Sequence, residues 1–346
     1  MTQALYRRYR PDSFSNVRGQ DHITKVLAGA ISAGNVGHAY LFSGRRGIGK
    51  TSIARILAKD LGTTERDIYE IDAASHRGID DVRALKEAVA SMPYESDYKV
   101  YIIDEVHMLT TPAFNALLKT LEEPPEFVIF ILATTEPDKL PETIISRCET
   151  HEFKQPTVSV LQEAVLDTAN AEGYTIDEPA ATTIAQAADG SFRDCLGLLE
   201  KCIRAAEKKN IGTELAAEIT GIPPAALIEK IVFSGIAVGE PAPALEALAT
   251  AADKNIDPAR LFEKVINIAR QVLLVRFAPN LAENVREEVG ESLYENIKAE
   301  ADKGADSRIS AKTLHTLLSH HNRLSADTLG HLPLELAVVS LTDQEE

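Results

Sequence analysis

Short apolar runs rich in β-branched and aromatic residues recur through the first half of the chain, at Ala39–Ser43, Ile68–Ile71, Tyr98–Ile103, Phe127–Ala133 and Thr150–Phe153. They are nearly unbroken instead of alternating with polar residues, which predicts strands buried on both faces. Helical repeats lie between them: Ile53, Ile56, Leu57 and Leu61; Val82, Leu85 and Val89; Phe114, Leu117, Leu118 and Leu121. Strands alternating with helices predict an α/β domain, a parallel sheet with helices on each side. Strand signals stop after Phe153, and from Val158 onward the pattern reads as all-helical. Pro156 and the Gly173–Asp177 stretch punctuate this part. Ile222-Pro223-Pro224 predicts a hinge, since proline removes a donor and restricts its predecessor, and Gly235–Pro243 predicts a further break. The expected organisation is an α/β domain over 1–157, a small helical domain over 158–221 and a second helical domain over 222–346, ending in a polar tail at Asp343–Glu346.

A chain of 346 residues suits two or three domains. With 45% hydrophobic and 25% charged residues it is neither disordered nor fibrous. Aromatics make up 5% and tryptophan is absent, so the cores are built from Leu, Ile, Val and Ala. A net charge of −16 opposes a general nucleic-acid coat. The charge is uneven, however: the first sixty residues hold ten basic and three acidic side chains, a net +7, which leaves −23 on the rest. A basic end on an acidic body implies a local anionic ligand, either phosphates or DNA. Three cysteines exclude a disulfide framework and fit a reducing compartment. The arginine-rich start has no apolar segment of a secretory signal, and no apolar run approaches the ~20 residues of a membrane span. The expectation is a soluble, cytoplasmic protein without a membrane partner.

The chemistry concentrates at Gly44-Arg45-Arg46-Gly47-Ile48-Gly49-Lys50-Thr51, followed by Ser52. This matches G-x-x-x-x-G-K-[ST] between a strand and a helix, the context that a phosphate loop requires. Glycines allow backbone N–H groups to converge on phosphate oxygens, and the following helix presents its positive end. Lys50 is expected to reach the β- and γ-phosphates, and Thr51 to ligate Mg²⁺. The strand Val100–Ile103 ends in Asp104-Glu105. Asp104 at the carboxyl end of a parallel strand would complete the Mg²⁺ shell, and Glu105 would polarise the attacking water as general base. Thr134-Thr135 closes the next strand, a natural place for a hydroxyl that senses the γ-phosphate, or simply two threonines ending a strand. Arg147 and Arg193 read from composition alone as surface ion-pair partners.

Taken together, Leu5-Tyr6-Arg7-Arg8-Tyr9-Arg10-Pro11, Val17-Arg18-Gly19-Gln20, His38–Gly44, Glu70–Ser75, Asp104-Glu105-Val106-His107-Met108-Leu109, Phe114–Pro125 and Ser146-Arg147-Cys148 closely resemble the bacterial DNA polymerase III gamma/tau subunits, the AAA+ ATPase motors of the clamp loader. The resemblance is dense over 4–205 and weaker over 222–340, where Leu332–Ala337 is similar to the end of the family's collar domain. It implies an AAA+ P-loop domain, a helical lid and a helical collar that oligomerises. Arg147 would be an arginine finger acting on a neighbouring subunit, Thr135 (with Thr134 the near alternative) the first sensor, and Arg193 the second. Arg10, Pro11 and Val17 would line the adenine pocket. The implied ligands are ATP and Mg²⁺. The implied partners are delta and delta-prime subunits, other copies of the chain, the sliding clamp and primer–template DNA, with Arg77 and Arg83 as candidates for phosphate contact.

The chain departs from the family between the phosphate-loop helix and Glu70. A four-cysteine zinc module usually stands there, but this sequence has only Gly62–Asp67. Cys148, Cys195 and Cys202 show no C-x₂-C spacing, so no zinc is expected. The sequence also ends where the collar does, and a tau-type extension is not expected. No segment resembles a polymerase active site, although the family is grouped with the DNA-directed DNA polymerase holoenzyme. Two other readings are an ATP-binding scaffold subunit with negligible hydrolysis and a branch-migration motor. The intact set Lys50, Thr51, Asp104 and Glu105 favours a hydrolysing motor that loads sliding clamps during DNA replication.

Overall fold

The computed structural model describes residues 3–75, 78, 85, 87–254, 256–324 and 330–342. Arg77, Arg83, Val82 and the tail at Asp343–Glu346 lie outside the described residues. By contacts the chain divides into two units, one of 1–164 with 188–200 and one of 165–187 with 201–346.

The first unit holds five strands, β1 (Ala39–Ser43), β2 (Ile68–Asp72), β3 (Lys99–Asp104), β4 (Val128–Thr134) and β5 (Glu149–Glu152), each within a residue of the run that predicts it. Their order is β2-β3-β4-β1-β5 and every pair is parallel. Helices α1 (Leu5–Arg8), α2 (Asp21–Ser32), α3 (Lys50–Asp60) and α4 (Thr111–Glu122) belong to the same unit. Alternate side chains of a strand face opposite sides, which splits the sheet's apolar residues between two cores. Leu41, Tyr101, Ile103, Phe130 and Leu132 pack with Phe114, Leu117 and Leu121 of α4. Tyr40, Phe42, Val100, Ile102 and Ile131 pack with Ile23 and Leu27 of α2 and Ile53 and Leu57 of α3. The two-sided burial accounts for the unbroken apolar runs. The register sets Ser43 opposite Thr134 and Glu152, and Asp104 opposite Asp72. The phosphate loop, Asp104 and the Thr134-Thr135 pair therefore leave the sheet at one edge, the carboxyl ends of the strands.

The second unit is mostly helical. A core in it joins Ile231, Val232, Ala244, Leu248, Phe262, Val265, Val272, Leu317 and Val338. Two expectations are corrected here. A two-stranded parallel pair, Thr175–Ile176 with Asn210–Ile211, lies in the stretch read as all-helical; two residues are too few to carry a strand period. The expected break at Gly235–Pro243 starts later, because Lys230–Ile236 is a π-helix and an α-helix begins at Pro241. Gly235 serves packing in place of a turn: a Cβ there would lie 2.6 Å from Ala244 Cβ. Among the described residues no single helix is long and apolar enough to cross a membrane.

One buried carboxylate ties the segment before β3 to the sheet. Asp67, fully buried, accepts from the N–H groups of Tyr94 (2.5 Å), Glu95 (2.9 Å) and Ser96 (2.9 Å). Burial alone would raise its pKa, but the three amides and the Ser96 hydroxyl prevail and hold it at about 2. A carboxyl depressed in the folded state stabilises above its unfolded pKa and loses that contribution as pH falls through the folded value. Asp67→Asn is therefore expected to cost about 1–3 kcal/mol at neutral pH, with the deficit closing as pH falls from 3.8 toward 2. Urea unfolding of both proteins across that range checks this, and equal midpoints at pH 7 would contradict it.

Candidate nucleotide site

The loop between β1 and α3 is anchored by Ile48, whose side chain is buried in the α2–α3 core, while Arg45 and Arg46 are exposed. Gly47 has φ +76°, and a Cβ there would lie 2.1 Å from Ser191 Oγ. The Gly47 carbonyl accepts from Phe192 N at 2.9 Å. The Lys50 ammonium is buried and donates to the carbonyls of Gly44 (2.6 Å) and Arg45 (2.9 Å). Burial pushes its pKa down, Glu105 and Asp104 pull it back up, and Arg193 adds repulsion. Thr51 and Ser52 follow Lys50 in the first turn of α3, half-buried.

Thr51 Oγ1 donates to Asp104 Oδ2 at 2.9 Å, and Asp104 Oδ1 accepts from Glu105 N at 3.0 Å. A hydroxyl and a carboxylate set together at the start of the helix are hard oxygen donors of the kind Mg²⁺ takes, so these residues fit that ion. Glu105 has φ +50°. That left-handed conformation costs a non-glycine residue on the order of 1–3 kcal/mol and gathers at functional sites. The Glu105 carboxylate accepts at Oε2 from the Thr135 hydroxyl (2.9 Å) and N–H (3.3 Å). Thr134 is fully buried and bonds instead to His107 Nδ1 (2.9 Å) and Glu136 N (3.0 Å). The two adjacent threonines thus face different partners.

Arg193 stands beside Gly47, where an added Cβ would lie 3.4 Å from Arg193 Cβ, and its guanidinium is 5.8 Å from the Tyr6 ring centre. Arg10 is half-buried; burial lowers its pKa, helped by Arg55, while Glu70 opposes the shift. Arg10 lines a concavity of about 310 Å³ with Gln3, Arg7 and Arg55, and Arg55 pairs with Glu70. Pro11 and Val17 are half-buried, and Val17 packs on the α2–α3 core. Arg45 points to Gln155 and Asp189, donating 2.9 Å bonds to both. Arg147 bonds to Glu122 at the end of α4 (2.5 Å) and to the Thr143 carbonyl (2.6 Å).

The structure thus brings Lys50, Thr51, Asp104, Glu105 and Thr135 together, with Arg193 next to the loop and Arg147 engaged on α4. Sequence reasoning missed the polar neighbours His107, Glu136, Gln155, Asp189 and Ser191. His107 is two residues past Glu105, but no spacing rule announces a contact with Thr134. Cys195 and Cys202 are buried, with thiol pKa values pushed up by burial to about 12 and about 11, and burial likewise raises Cys148 to about 11. Among the described residues no three His, Cys, Asp or Glu side chains gather as a metal-binding group.

A family model described as DNA polymerase III, delta subunit, matches residues 64–157, and one described as DNA polymerase III clamp loader subunit, ATPase lid domain, matches 161–208. The DNA polymerase III subunit tau of Bacillus subtilis (strain 168) is 44% identical, covering 98% of this chain and 63% of that protein. The DNA polymerase III subunit gamma/tau of Mycobacterium tuberculosis (strain ATCC 25618 / H37Rv) is 37% identical over 81% of this chain and 52% of its own length. The chain therefore spans between half and two thirds of these relatives. Among solved structures, the Thermotoga maritima RuvB Holliday junction branch migration motor superposes with a TM-score of 0.53 at 24% identity, covering 66% of this chain and 81% of that one. This likeness is one of fold alone.

Gly47→Ala is expected to abolish tight nucleotide binding, since the added methyl must displace Ser191 and strain a left-handed backbone. Titration with a fluorescent ATP analogue checks this; unchanged affinity would mean that the Gly47–Ser191 contact plays no part in shaping the loop.

Proposed function

Because the chain belongs to the DNA polymerase III gamma/tau clamp-loader family, we propose that it is an ATP-hydrolysing motor subunit that loads a sliding clamp onto primer–template DNA. The observation that carries this reading is the intact pairing of Asp104 with Thr51 and of Glu105 with Thr135 beside the buried Lys50. In this reading the loop amides and Lys50 bind the β- and γ-phosphates of ATP. Thr51 and Asp104 hold Mg²⁺, which neutralises phosphate charge. Thr135 orients Glu105, which takes a proton from the attacking water. The water oxygen bonds to the γ-phosphorus as the bond to the bridging oxygen breaks, releasing ADP and phosphate. Arg193 senses the phosphates within the same subunit, and Arg10, Pro11 and Val17 flank the base. Arg147 leaves Glu122 to reach the nucleotide of a neighbouring copy. The partners proposed are delta and delta-prime subunits, further copies of this chain, the clamp and DNA.

The test is steady-state ATP hydrolysis by the chain assembled with delta and delta-prime subunits, with and without clamp and primer–template DNA. Stimulation by the combination is expected; ATP binding with a flat, near-zero rate would make the chain a nucleotide-gated scaffold. Lys50→Ala should remove ATP binding, and Glu105→Gln should retain it while stopping hydrolysis. Retained binding in the first, or a normal rate in the second, contradicts the assigned roles. Arg147→Ala should spare nucleotide affinity and slow hydrolysis by about 10³-fold. Mixing with Lys50→Ala subunits should restore part of that rate; no restoration would remove Arg147 from a role in trans.

A further inference from the structure

The arginines of the first unit differ in what engages them. Arg45 is paired with Asp189, Arg55 with Glu70 and Arg147 with Glu122. Arg193 is not held in this way: among the described residues its guanidinium has no hydrogen-bond or carboxylate partner. It stands near two other cations, since Lys50 and Arg10 both feel it as a repulsive charge. A half-buried guanidinium among like charges would turn out to solvent unless something held it. The contact that holds it is the Tyr6 ring, whose centre lies 5.8 Å from Arg193 Cζ. The exposed Arg7 lies 5.8 Å from the same ring centre.

Tyr6 is anchored independently of that contact. Leu5 before it is buried, and the Leu5 N–H donates to Glu200 Oε2 at 3.3 Å. Glu200 lies on Phe192–Ala205, the helix that carries Arg193. The head of that helix is joined to the phosphate loop by the bond from Phe192 N to the Gly47 carbonyl. An aromatic face attracts a cation through its quadrupole without accepting strong hydrogen bonds. A carboxylate in its place would take a pair of N–H groups, and that pair would have to break before a phosphate oxygen could be bound. Held by a ring, all five donors of the guanidinium remain available. We propose that Tyr6 is a positioning residue for Arg193: its ring keeps the guanidinium beside the phosphate loop and leaves its donors uncommitted for nucleotide phosphate. This rests on Arg193 acting as the phosphate sensor.

Isothermal titration of the full chain with Mg²⁺ and a non-hydrolysable ATP analogue tests it. Tyr6→Leu should weaken binding roughly threefold to tenfold, as the loss of a half-buried cation–π contact does. Tyr6→Phe keeps the ring and should bind as the unaltered chain does. In the Arg193→Ala background, Tyr6→Leu should have no further effect; an equal loss in both backgrounds would mark a packing role for Tyr6 and overturn the proposal. Phenylalanines carrying one, two or three fluorines at position 6 keep the ring's shape while draining its negative face. Affinity should fall stepwise along that series even where Tyr6→Leu does not fold, and a flat series overturns the proposal. Arg193→Ala serves as the reference. Unchanged affinity in that variant removes the sensor assignment and the proposal together. Weakened binding there, beside normal binding by Tyr6→Leu, removes the proposal alone.

Discussion

A buried ammonium that donates to two backbone carbonyls is the constraint around which this site is arranged. Lys50 is pulled out of water by the fold and satisfied by Gly44 and Arg45, yet two carbonyl dipoles compensate a desolvated charge only in part. The remainder comes from the Asp104 and Glu105 carboxylates across the strand ends, which draw its pKa back upward. An anion entering the loop meets a cation already stripped of solvent and already oriented, so little reorganisation is left to be done.

The sheet supplies the rest. Three central strands buried on both sides fix the β1–β4 and β3–β4 registers, and a one-residue slip would turn a whole strand's apolar residues to the wrong core. A register fixed in this way converts hydrophobic packing into distances between polar groups: Thr51 to Asp104, Thr135 to Glu105. The strained backbone at Glu105 is held by the same packing, since Val106 next to it is fully buried. Stability and chemistry are therefore supported by the same apolar residues.

Much of this is legible in the amino-acid sequence, and for identifiable reasons. Unbroken apolar runs at Tyr98–Ile103 and Phe127–Ala133 announce strands with no solvent face. The glycine spacing at 44–49 announces converging amides, and acids after an apolar strand announce a site edge. The roles proposed for Arg147, Arg193 and Arg10 rest on family resemblance, because an arginine on a surface looks the same in any role. What stays hidden is three-dimensional: His107 against Thr134, Arg45 against Asp189, and Gly235 against Ala244 join positions whose spacing follows no period. The strand pair at 175–176 and 210–211 is hidden because it is shorter than the signal that would reveal it.

The close fit of Gly47 under Ser191 carries a consequence for how this sequence can drift over generations. A methyl at position 47 of the loop would occupy the space of the Ser191 hydroxyl at the head of the helix bearing Arg193, so position 47 does not vary independently of position 191. A side chain at position 47 is admissible only after Ser191 has yielded. Any inherited change in the loop glycine is therefore coupled to a codon far away along the chain.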